Sequence, residues 1–179
     1  NDGIANYLDA IPACNVMSGS LNTSNRFLIE GQPGICLQLG ESALNQATAS
    51  PRITVISNNN LVSQLFDFTA DQLPIAGHSY QIVLPQNQAI AANAIYRIQH
   101  RSGESADFVE NADNRLMSTA GEPGYCPPPG DSRWQSGLTA GHWCVQLQLN
   151  DGGPNDIDGA ANRVIMAPGG LSISPAAEE

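Results

Sequence analysis

The chain has 179 residues, enough for one domain with its own hydrophobic core. Seventeen acidic residues against seven basic ones give a formal charge of -10, which repels nucleic acid and anionic membrane surfaces at long range. All seven basic residues are arginines, so the sequence has no lysine for a Schiff base, a phosphate-binding loop or an isopeptide cross-link.

Apolar residues make up 41% of the chain, too many for a disordered segment. Aromatics are only 6%, while Asn, Gln, Ser, Thr, Gly and Pro abound, as in turn-rich secreted β modules. No apolar run approaches the ~18 residues that a membrane-spanning helix needs.

At the start, Asp2, Gly3, Asn6 and Asp9 place oxygen-bearing side chains around an Asp-Gly turn. This segment resembles the closing half of a thrombospondin type 3 calcium repeat. The resemblance implies that Asp2, Asn6 and Asp9 bind calcium together with upstream aspartates, and that residues 1–12 end a calcium-stiffened spacer.

Strand signals then recur at short intervals, over residues 26–30, 35–39, 52–57, 61–68, 79–84, 95–100, 107–110, 143–149 and 163–166, each bounded by Gly, Pro, Asn or Ser. Only 42–49 has helical character. About nine strands with no βα alternation predict an all-β fold, an antiparallel β-sandwich of jelly-roll or immunoglobulin-like type spanning 13–173, with 174–179 as a polar linker tail.

Cysteines stand at 14, 36, 126 and 144, without the paired spacing of a zinc ribbon or a thioredoxin-like motif. Cys36 and Cys144 open the similar phrases Cys-Leu-Gln-Leu and Cys-Val-Gln-Leu, and each follows its preceding cysteine by about 20 residues. The expected bridges are therefore local, Cys14–Cys36 and Cys126–Cys144, each contributing about 3 kcal/mol by loop entropy. Disulfides in turn predict an oxidising, extracellular location.

The clearest single stretch is 143–159. Trp143, Val145, Leu147 and Leu149 alternate with Cys144, Gln146 and Gln148, the period-two pattern of a strand with one buried and one wet face. Asp151-Gly152-Gly153-Pro154-Asn155 then forces a turn, and Asp156 and Asp158 follow. Asp151, Asn155, Asp156 and Asp158 form a candidate calcium loop, since hard cations take clustered oxygens. The competing reading is a hydrogen-bonded Asx-turn loop, because Pro154 offers only its carbonyl where a calcium loop wants a side-chain oxygen. Catalytic motifs are missing: His78, His100 and His142 lack metalloprotease spacing, and no serine sits in a nucleophile elbow. Trp134, in a Pro/Gly-rich loop, is the best candidate for stacking on a glycan or another ligand.

One further similarity covers about residues 61–173. Asp107-Phe108-Val109-Glu110, the run from Gly121-Glu122-Pro123-Gly124-Tyr125-Cys126 to Gly130, Gly141-His142-Trp143-Cys144, Asp151-Gly152-Gly153-Pro154-Asn155-Asp156 and Pro168-Gly169-Gly170 resemble the choice-of-anchor U domain. Arg163, and Met166 with Ala167, depart from that pattern. The resemblance implies a non-enzymatic module of a bacterial exported protein, extracellular or at the cell surface, close to an envelope anchor. The expected function is thus a spacer or assembly unit whose partners are other domains or copies of the parent protein. The alternative is a calcium-dependent carbohydrate- or protein-binding adhesin module.

Overall fold

In the computed structural model, residues 14–18, 28–40 and 66–173 are described. The Asp2, Asn6 and Asp9 segment, the expected elements over 42–49 and 52–57, residues 61–65 of the next strand and the 174–179 tail lie outside them.

The described residues form twelve strands and no helix. In chain order they are β1 (Val16–Ser18), β2 (Leu28–Gly31), β3 (Cys36–Leu39), β4 (Phe68–Asp71), β5 (Ser79–Pro85) and β6 (Ala94–Gln99). β7 (Ser105–Asp107), β8 (Arg115–Thr119), β9 (Gln135–Ser136), β10 (Cys144–Asn150), β11 (Ile165–Met166) and β12 (Gly169–Ile173) follow. Every pairing is antiparallel. A six-stranded sheet has the order β1-β2-β5-β10-β8-β9, and two three-stranded sheets have the orders β11-β4-β3 and β12-β6-β7. A bridge between Phe66 and Gly169 links the two small sheets.

The long central pair β5 and β10 runs in register from Cys144 opposite Pro85 to Asn150 opposite Ser79. Alternation turns Tyr80, Ile82 and Leu84 of β5 and Val145, Leu147 and Leu149 of β10 to one face. There they share one core with Leu37, Phe68, Ala70 and Ile165 of one small sheet and Tyr96, Ile98 and Leu171 of the other. The chain is an antiparallel β-sandwich. Two disulfides staple it: Cys14–Cys36, with Cα atoms 4.7 Å apart, ties the segment before β1 to β3, and Cys126–Cys144, at 5.7 Å, ties a loop to the start of β10. Among the described residues no helix is long and apolar enough to cross a membrane.

The second face of β10 is drier than the alternation predicts. Cys144 and Gln146 are fully buried, because the Pro127-Pro128-Pro129 loop crosses them and the Gly130 amide donates to Gln146 Oε1 at 2.9 Å. Trp143, expected in the core, instead precedes β10 and is half-buried outside the core cluster. The strand expected over 107–110 lies earlier, at β7, because a turn at Gly103 (φ 87°) closes the hairpin between His100 and Glu104. β12 carries no strand signal in the sequence because it opens on Gly-Gly. Gly169 is required there, since a Cβ at that position would lie 2.4 Å from the Arg97 carbonyl oxygen.

Candidate functional site

Three loops meet at the end of the sandwich where β5 begins and β10 ends: 72–78, 108–114 and 151–163. Asp151, immediately after β10, is buried, and its carboxylate accepts the amides of Gly77 (2.9 Å), Asn162 (3.2 Å) and Arg163 (2.9 Å). One side chain thereby pins two loops to each other. Asn155, also buried, pairs with Val109 as a strand neighbour would, accepting its amide at 2.8 Å and donating to its carbonyl at 2.9 Å. Asn114 Oδ1 accepts from the Asn150 amide and from Asn155 Nδ2, each at 3.1 Å.

Asp156 is buried and accepts the Gly152 amide at 2.9 Å and the Met166 amide at 3.0 Å, fastening the loop to β11. Burial pushes its carboxyl up to about 6, with the neighbouring Asp158 adding to the rise and the backbone donors opposing it. Asp158 accepts the Ala160 amide at 2.8 Å, an Asx turn, and Asn162 Nδ2 at 2.9 Å.

The four residues read as a calcium loop are thus brought together, but all seven of their side-chain oxygens accept N–H donors of the protein. Among the described residues no group of three His, Cys, Asp or Glu side chains is placed to hold a metal ion. The arrangement is that of a hydrogen-bonded Asx loop. A calcium ion would have to displace these donors or share the oxygens with them.

Other candidates lie apart. Ser118 and His142 come together, with Oγ 2.9 Å from Nδ1. Ser118 is fully buried, however, and its hydroxyl also donates to the Gly137 carbonyl at 2.8 Å and accepts the Thr139 amide at 3.0 Å. This serine holds the 137–142 turn and does not face solvent. His78 is exposed, and His100 lines a crevice of about 30 Å³ with Asp67, Arg101 and Met166, room for roughly one water. Trp134 is partly buried, and its indole N–H donates to the Pro128 carbonyl at 2.9 Å, which fixes the ring on the stapled loop. Beside it, Arg133 holds the Asp131 carboxyl down to about 2.

Comparison with protein-family models, with curated proteins and with solved structures gives no match. Asn114, Tyr80 and Gly77, which complete the loop network, carry no signal in the sequence. Their roles depend on partners 36 to 74 positions away, or on a hydroxyl pointing back along its own strand.

Proposed function

We propose that the chain is a non-catalytic, extracellular β-sandwich module of a bacterial cell-surface or secreted protein, serving as an anchor-proximal spacer or a unit of an assembly. The observation that carries this reading is the use of the polar residues at the candidate site: Asp151, Asn155, Asp156 and Ser118 are buried, and their oxygens are engaged in holding loops. Nothing among them is poised as an exposed nucleophile or base. Two disulfides support an oxidising compartment, and the likeness of residues 61–173 to choice-of-anchor U domains supports the bacterial envelope. The test is surface proteolysis of intact cells of the source organism, followed by non-reducing peptide mapping. Release of peptides from this chain with both bridges intact is the expected result. A chain found only inside the cell with reduced cysteines would overturn the proposal.

A second reading, an adhesin module, is favoured by Trp134, whose partly exposed ring is held on the disulfide-stapled loop. On a glycan array this reading expects binding that disappears in Trp134→Ala; an array without signal removes it.

A further inference from the structure

The last two strands run in one line. Ile165 and Met166 of β11 face Ala70 and Thr69 of β4, and three positions further along each segment Gly169 faces Phe66, so the register continues unbroken from β11 into β12. Both bonds of that last pair form: the Phe66 amide donates to the Gly169 carbonyl at 2.7 Å, and the Gly169 amide to the Phe66 carbonyl at 3.0 Å. Along its other edge the line pairs with β6, from Gly169 opposite Ile98 to Ile173 opposite Ala94. Ile165, Ala167 and Leu171 hold it in the core.

β3 runs in the same direction as this line, because both are antiparallel to β4: Cys36 faces Asp71, and Leu39 faces Phe68. The head of β3 is fastened to Cys14 in two ways. One is the Cys14–Cys36 disulfide, and the other is the Leu37 amide, which donates to the Cys14 carbonyl at 2.9 Å. The covalent route through sulfur bypasses β1 and β2, which lie between the two cysteines.

Tension applied through Cys14 and Ile173 would pull β3 backwards from its first residue and β12 forwards from its last. The two pulls are opposed and lie along parallel strands. Interstrand bonds of antiparallel pairs stand perpendicular to the strands, so a pull along the strands loads all of them together. A pull across the strands instead breaks them one pair at a time.

We propose that the domain is a mechanical clamp, in which β3 and the β11–β12 line resist being sheared past β4 and β6. The inference rests on the spacer reading and adds what the spacer withstands. A spacer between an anchor and the outer part of a surface protein carries any force acting on that part. The disulfide bypass keeps the edge strand β1 from being peeled by such a force. Sliding the terminal line would strip its pairing with β6 and the Phe66–Gly169 bonds while dragging Ile165, Ala167 and Leu171 from the core.

Single-molecule stretching of the whole oxidised chain tests this, with Ala92→Cys used throughout so that one fold serves two directions of pull. Ala92 is exposed just before β6, and the four native cysteines are bridged, so the added thiol is a unique handle. Handles at the two chain ends apply shear. Handles at position 92 and the C-terminal end open β12 across its bonds, starting from the Ile173–Ala94 pair. Because forced rupture reports the unfolding barrier along the pull, the end-to-end force should exceed the other by about twofold or more at equal loading rate. Equal forces, or a weaker end-to-end rupture, would overturn the proposal. A chain that ruptures easily in both directions, yet is found at the cell surface with both disulfides, would still stand as a spacer, so the two readings fail separately.

Discussion

The amide of Gly77 donates to Asp151 Oδ2 at 2.9 Å across 74 positions of sequence. The same carboxylate takes the amides of Asn162 and Arg163, so one buried side chain reinforces the Leu73–Arg163 and Asp151–His78 backbone bonds that join the two loops. Buried carboxylates that accept several amides are stable only where the donors are already in place. The strands deliver those donors: β5 opens next to Gly77, and β10 ends next to Asp151.

Asp151→Ala should therefore destabilise the domain by about 3–5 kcal/mol, since three amides lose a charged acceptor. Asp151→Asn should cost less, because its oxygen at the Oδ2 position keeps two of the three. Urea unfolding measures both, and equal losses for Ala and Asn would refute the assignment.

Asp156 sets a pH dependence of definite sign. Its carboxyl titrates near 6 when folded, above its ordinary value of 3.8, so the folded state holds the proton more tightly than the unfolded chain. Its stabilising contribution is present below about pH 4 and is lost as pH rises through about 6, a fall on the order of 2–3 kcal/mol. Asp131 acts in the opposite sense. Held down to about 2 by Arg133, it contributes above about pH 4 and loses that contribution as pH falls toward 2. Comparison of unfolding free energies for wild type and Asp156→Asn from pH 4 to 7 should isolate the first effect. Parallel curves would show that Asp156 is not the group responsible.

Removing the Cys126–Cys144 bridge with paired serines should cost about 2–4 kcal/mol through the unfolded state. It should also release the loop that covers Gln146, shifting the emission of Trp134 to the red as its ring enters water. If emission and stability are both unchanged, the loop is held by packing alone.

Ser118→Ala should lower stability by about 1–3 kcal/mol, because the Thr139 amide and the Gly137 carbonyl lose their partner in a buried place. Turnover of ester or glycoside substrates should be undetectable in both wild type and variant. A wild-type activity that vanished with Ser118 would make the Ser118–His142 contact catalytic.

The sandwich was legible because its longest strands alternate cleanly: Tyr80, Ile82 and Leu84 face Val145, Leu147 and Leu149 in the core. The local disulfide pairs were legible from spacing. β1, β8, β9 and β12 were not, and β4 begins only at Phe68, where the expected 61–68 strand ends, since short strands acquire their form from neighbours in the sheet. The covered second face of β10 was also hidden, because periodicity reports the sheet and not the loop that later crosses it. At the candidate site the sequence supplied the right oxygens but not their partners. Whether a carboxylate faces an ion or an amide depends on where distant backbone arrives, as Gly77 and Val109 do here.

Native-state hydrogen exchange tests the central claim most directly, that the 151–163 loop is locked by its own buried side chains. The amides of Gly77, Gly152, Asn162, Arg163 and Met166 should exchange slowly, with protection approaching that of the β10 amides, and equally so in calcium and in chelator. Fast exchange at these five amides, or protection that appears only when calcium is added, would contradict the account.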